Sequence, residues 1–370
     1  MKTIHEIIYQ VHMKKEDSMI EKHFPKILLC SLAAALIVGL AITSSATASG
    51  HLPGAGITVQ PARATWTTGF FLEAIYSRAL EDLGYKVKDP KKVSNPIFFK
   101  SVYQGDVDFW ANGWFPIHYA QLGMPYDEYK KKASICGIVV KGGALQGYLV
   151  SKRDVEKFGI KSLDDFKRDE VKKAFDANGD GKADLVACPP GWGCEKVITH
   201  HLNVYGLGDH VNPIQASYSA SMADAVARYK SGEPVFFYTW TPNWTVNRFK
   251  PGEDVLWINV PETIPSPAQK GYDDAMVHKG VPGAVTDPIK MGFPGNDICV
   301  VANNKFLADN PAAAKMFEIM SIPFEDIASQ NAKMFAGENT EKDIERHVDE
   351  WIAAHKDTWE GWLKEAATAK

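Results

Sequence analysis

Residues 56–84 read GITVQPARATWTTGFFLEAIYSRALEDLG, and their order of elements sets the fold class. Gly56–Gln60 is a short strand. Thr67 or Thr68 then caps a helix over 69–83, on which Phe71, Ile75, Leu80 and Leu83 fall near helical spacing, and Gly84 stops it. A strand, a loop and a helix in that order open an α/β domain. Lys86–Val87, a helix near Pro96–Gln104 and a strand near Val107–Ala111 continue the alternation expected of a parallel sheet. The Asn112-Gly113-Trp114-Phe115-Pro116 turn then falls at a strand's carboxyl end, where open α/β sheets bind ligands.

Upstream of this start, Ile27–Ile42 is a 16-residue apolar run preceded by Lys22 and Lys26 and followed by small residues ending Ala46-Thr47-Ala48. That is the order of a secretory signal peptide over residues 1–48, cleaved after Ala48. Met19 is an alternative start, because the stretch before the run is long for an n-region. Cys30 lies inside the run, which disfavours a lipoprotein. Removing 1–48 from the 370-residue chain leaves 36 basic and 41 acidic side chains, a net charge of −5 on 322 residues. No lysine or arginine block supplies the footprint of a nucleic-acid binder. Export also makes the even number of remaining cysteines, Cys136, Cys188, Cys194 and Cys299, read as disulfide partners. Cys188 and Cys194 enclose only Pro-Pro-Gly-Trp-Gly and are natural partners; Cys136 and Cys299 make a second pair if their strands are neighbours.

Downstream, Ala144–Val150 reads as a connecting strand, and Ser162-Leu163-Asp164-Asp165 as a capping box ahead of a short helix. Helices follow at about Gly193–Tyr205 and Met222–Tyr229, with a strand at Val235–Tyr238. Segment 250–297, rich in Pro and Gly, is expected to be irregular and to lead into a returning strand at Ile298–Ala302. Thr340 with Asp343 caps a long amphipathic helix whose stripe of Ile344, Val348, Trp351, Ile352, Trp359 and Leu363 is a packing face.

Three segments stand apart from this periodicity: Gly113–His118 (GWFPIH), Cys188–Glu195 (CPPGWGCE) and Tyr238–Trp244 (YTWTPNW). Each carries tryptophan on backbone stiffened by proline, glycine or a disulfide, whereas core tryptophans are normally held by periodic neighbours. Indoles held face-on around a point make a cage for a cation that donates no hydrogen bonds, such as trimethylammonium, each face contributing up to about 2 kcal/mol. A zwitterion also needs anion donors. The helix starting at Gly193 supplies free N–H groups and the positive end of its dipole, and His118 is placed to supply one more.

The strings GWFPIH, FDANGDGKADL, CPPGWGCE, RYKSGEPVFFYTWTP, NPAAAKMFEIM and HVDEWIAAH resemble the periplasmic glycine betaine/proline betaine-binding proteins of osmoprotectant ABC importers, from about Leu52 to the C-terminus. The resemblance implies a two-lobed α/β solute-binding protein of type II with its ligand cleft between the lobes. Lobe one would be 49–153 and 292–370, and lobe two 154–291. It places the aromatic box on Trp114, Trp192 and Trp240 and the ligand carboxylate on Gly193 and Cys194 N–H and on His118. It further implies a monomer that binds glycine betaine and proline betaine in the periplasm, docks on a membrane permease and uses no cofactor. Phe115, Cys136 and Cys299 depart from the family's pattern.

Asp176–Asp184 matches the first nine positions of a calcium loop, so Asp176, Asn178, Asp180 and Asp184 are candidate ligands, but Ala187 replaces the bidentate Glu of the twelfth. The competing function is an exported enzyme acting on a choline-type substrate with Glu195 or Asp184 as base; no nucleophile or complete metal site accompanies either. A thiol oxidoreductase is weakened by the five-residue spacing of Cys188 and Cys194. His200 and His201 are adjacent on a helix and point apart, a poor geometry for one metal.

Overall fold

The computed structural model describes residues 52–370, so the leader read at 1–48 lies outside the described residues. The opening helix spans Thr68–Asp82 with Phe71, Ile75, Leu80 and Leu83 buried. Gly84 ends the turn with φ +91°, a conformation open to a residue without Cβ. The expected threonine cap does not form. Thr67 and Thr68 both donate their hydroxyls to Asn331 Oδ1 (2.9 and 3.1 Å), tying the helix start to the C-terminal helices instead.

Two sheets organise the molecule. In the first, Asn296–Asn303 runs between Phe109–Phe115 and Ala133–Ala144 and is antiparallel to both. In this part of the chain parallel pairing, expected for the strand near 107–111, is limited to Thr58–Val59 with Lys86–Val87, Ala62–Arg63 with Lys91–Lys92, and a single bridge from Pro61 to Phe109. The central position is taken by a strand that returns from the other lobe, and its direction makes the sheet antiparallel. The second sheet has the order 255–258, 146–151, 236–240, 183–186, 211–214, antiparallel across its first two pairs and parallel across the rest.

Gln146–Ser151 therefore hydrogen-bonds in the second sheet, although the boundary read at 153/154 assigned it to the first lobe. Val255–Ile258 is a true edge strand inside the segment read as irregular. The C-terminal capping box is present, with Asp343 N–H donating to Thr340 Oγ1 (3.2 Å) and Thr340 N–H to Asp343 Oδ2 (3.1 Å). The single helix expected beyond it is two, Glu341–Ala354 and Lys356–Ala367, separated at His355. Trp351 and Trp359 are buried as packing residues, and Trp359 Nε1–H donates to Asp82 Oδ2 at 2.8 Å.

Candidate functional site

The strand Phe109–Phe115 is buried along its whole length and continues through residues read from the sequence as a turn. Successive side chains of a strand alternate faces, so Asn112 and Trp114 share one face; a register shift between Trp110 and Gly113 breaks the alternation, and Trp110 packs on Trp66, the indole that Asn112 holds. Trp110 stacks against His118, with ring centroids 5.7 Å apart at 9°. Asn112 Oδ1 accepts two indole N–H groups, from Trp114 (2.8 Å) and from Trp66 (3.0 Å). Trp114 itself lines a cavity. The short helical turn Ile117–Gln121 then brings His118 back beside Trp114.

From the second sheet come the other walls. The Cys188–Cys194 disulfide is formed, with Cα atoms 6.0 Å apart, and closes the loop that carries Trp192. Helix Gly193–Val204 starts immediately after, leaving the N–H groups of Gly193 and Cys194 without acceptors in their own helix. Trp240 ends strand Phe236–Trp240 opposite Gln146, so it is strand-borne and not carried by a turn. Trp192 meets Trp240 edge to face at 5.5 Å and 80°.

All six residues expected at the site, Trp114, His118, Trp192, Gly193, Cys194 and Trp240, line one partly open cavity with about 330 Å³ free of protein atoms, its mouth included. Five more that sequence reasoning missed join them: Trp66, Asn95, Ile117, Gln146 and Tyr238. Trp66 was hidden beside two threonines read as caps. Asn112 and Trp114, two residues apart, were the available signal for a strand that continues to Trp114 and for the role of Asn112. Among the described residues that line the cavity, none carries a formal charge at neutral pH.

His118 is fully buried, and burial pushes its pKa down to about 3, so the ring is neutral. The Trp114 backbone N–H donates to its Nδ1 at 2.9 Å, which leaves the ring proton on Nε2. Asn95 Nδ2 lies 3.1 Å from that Nε2 and donates to Gln121 Oε1 at 2.8 Å. The Nε2–H of His118 needs an acceptor here: Asn95 Oδ1, which otherwise has no partner, can take it when the amide is turned over, and an incoming anionic oxygen can replace it.

The calcium-like loop folds on itself. Asp176 accepts from the backbone N–H groups of Gly179, Asp180 and Gly181, and Asp180 from Lys182 N–H. Asp184 accepts from Ala177 N–H, from both the backbone and the side-chain amide of Asn178, and from the Asn212 amide. Among the described residues no three His, Cys, Asp or Glu side chains are grouped to hold a metal ion. Cys136 and Cys299 are free thiols. Their strands are neighbours as supposed, but Ile138 stands opposite Cys299 and Cys136 falls in a register shift, which corrects the expected second bridge.

Residues 57–354 match the model of the substrate binding domain of ABC-type glycine betaine transport systems. The chain is 42% identical to the glycine betaine-binding periplasmic protein of Dickeya dadantii, over 91% of this chain and 98% of that protein. It is also 42% identical to the glycine betaine/proline betaine-binding periplasmic protein of Escherichia coli, over 89% of this chain and 96% of the relative. Among solved structures, the fold is shared with the glycine betaine/L-proline-binding protein of Borrelia burgdorferi (TM-score 0.63, 18% identity, 84% of this chain and 98% of that one). It is shared too with lactococcal OpuAC in its closed form with glycine betaine (TM-score 0.61, 18% identity, 83% and 99%). The two-lobed α/β chain with its tryptophan-lined cavity therefore belongs to the family of substrate binding domains of ABC-type glycine betaine transport systems.

Proposed function

We propose that the protein captures glycine betaine and the related proline betaine outside the cytoplasmic membrane and delivers them to the permease of an ABC importer. The observation that carries this reading is the cavity itself: indoles of Trp114, Trp192 and Trp240 beside the neutral donors of Gly193, Cys194 and His118, with no charged side chain among the described residues of its wall. A carboxylate or a lysine in such a space would bind half of a zwitterion and repel the other half. Indole faces attract a methylated ammonium without needing a hydrogen bond from it, and N–H dipoles hold the carboxylate.

Trp114 and His118 stand on the first sheet's side, and Trp192, Gly193, Cys194 and Trp240 on the second's. A ligand touching both favours the closed arrangement of the lobes by its higher affinity for it. We take the first crossing between lobes at Leu145, since strand Gln146–Ser151 pairs with the second sheet, and keep the return near residue 292. The protein acts as a periplasmic monomer after loss of residues 1–48, and among the described residues no helix is long and apolar enough to cross a membrane.

Binding without turnover is favoured over the choline-type enzyme because neither Glu195 nor Asp184 lines the cavity and Asp184 is engaged by the loop's own donors. The test is calorimetric titration of the mature protein with glycine betaine, proline betaine, carnitine and choline, followed by mass analysis of the recovered ligand. Saturable binding with ligand returned intact is expected. Absence of binding to every one of the four, or chemical conversion of any, would reject the reading.

A further inference from the structure

Trp66 faces two spaces. On one side it lines the ligand cavity, and on the other it lines an outer hollow of about 690 Å³ together with Thr65, Pro189, Pro190 and Tyr218. Trp192 and Trp240 also border both. Trp66 and Trp192 meet edge to face, centroids 5.3 Å apart at 65°, and Trp192 Nε1–H donates to Thr65 Oγ1 at 3.0 Å. The wall between the two spaces is therefore made of three indoles, Trp66 from one lobe and Trp192 and Trp240 from the other, with Trp66 and Trp192 in contact and Trp192 fastened to Thr65 across the cleft.

Trp66 is not free to swing aside. It is 7% exposed, it packs against Trp110 at 5.6 Å, and its indole N–H is held by Asn112 Oδ1, which is itself buried. Rotating the ring out would break that bond and give up the packing on Trp110, both of which are unfavourable. Asn112 holds Trp114 by the same oxygen, so the two indoles are oriented as a unit.

We propose that Trp66, positioned by Asn112, determines specificity: it is the partition that limits the ammonium head to one the size of trimethylammonium by denying larger heads the outer hollow. This deepens the betaine-binding reading and rests on it. In a close-fitting pocket one methylene discriminates by about 10- to 200-fold. A triethylammonium head carries three more than trimethylammonium, so the parent protein should prefer glycine betaine over N,N,N-triethylglycine by about a hundredfold or more.

Calorimetric titration with these two probes tests the idea. Trp66→Ala should narrow the ratio of affinities at least tenfold, and Trp66→Phe should narrow it less. Asn112→Leu should also narrow it, whereas Asn112→Asp, which keeps an acceptor for both indoles, should restore much of it. A role in stability alone would lower the melting temperature without changing the ratio. An unchanged ratio in Trp66→Ala, or in Trp66→Phe should the alanine variant not fold, overturns the partition while leaving the betaine reading intact. A parent protein that binds neither probe overturns both.

Discussion

Replacing His118 by phenylalanine separates the carboxylate half of the cavity from its cation half. The new ring can keep the stack on Trp110, where centroids lie 5.7 Å apart, while both nitrogens are lost. A hydrogen bond to a charged acceptor contributes about 1.5–3 kcal/mol, so glycine betaine should bind about 10- to 150-fold more weakly. Choline has the same trimethylammonium head and no carboxylate, and its affinity should change by less than about threefold. The Trp114 backbone N–H loses its acceptor at 2.9 Å whichever ligand is present. That loss lowers the melting temperature of the free protein and cancels when the two ligands are compared. Because burial holds the imidazole pKa at about 3, the Nε2–H donor persists in the parent, whose glycine betaine affinity should be flat from about pH 5 to 8. Calorimetric titration of both ligands against parent and variant reads all of this. Equal losses for the two ligands, or a step in the parent's affinity near the ordinary histidine pKa of 6.5, would refute the assignment of His118 to the carboxylate.

Leucine at Trp114, Trp192 or Trp240 keeps apolar area but removes the indole quadrupole, and each should weaken glycine betaine binding by about 1–2 kcal/mol, or roughly five- to thirtyfold. Trp359→Leu, which removes an indole bonded to Asp82 far from the cavity wall, should lower the denaturation midpoint and leave the titration unchanged. Serine at both Cys188 and Cys194 should destabilise the protein by about 2 kcal/mol for so short a loop, read from urea unfolding, and should weaken betaine binding as Trp192 loses its fixed position. Peptide mapping should find Cys136 and Cys299 unpaired. His118 and His201 both have pKa values lowered to about 3 by burial, so the unfolded chain takes up their protons first. Their contribution is complete above about pH 6.5 and should decline as pH falls toward 4, by up to about 1.4 kcal/mol per pH unit for each; unfolding midpoints across that range check it.

What could be read from the sequence was local. The first helix shows its apolar spacing within fifteen residues, and the Thr340 and Ser162 capping boxes are complete within four-residue windows. Cys188 and Cys194 were constrained by the few residues between them. The cavity residues found first were those marked by unusual neighbours. Features made by distant segments left weaker traces. Nothing near Val107 announces that its strand will pair antiparallel with residues nearly two hundred positions later. Val255–Ile258 was masked by the prolines and glycines around it, and its strand character comes from pairing with Gln146–Ser151. Asn112 holds its near neighbour Trp114, but it couples that indole to Trp66 only because the opening loop folds onto it. The Cys136–Cys299 expectation failed on register, a quantity that shifts by single residues through bulges.

Among the described residues the cavity wall carries no charged side chain, and this reaches beyond selectivity. Dissolved salt weakens attraction between exposed ions over a distance of about 10 Å at 0.1 M and about 3 Å at 1 M. A cavity built from buried indole faces and peptide dipoles, receiving a molecule with no net charge, offers mobile ions little to screen. Capture should therefore keep nearly the same strength as the surrounding medium becomes concentrated, the condition in which a cell loses water and has most use for an imported compatible solute.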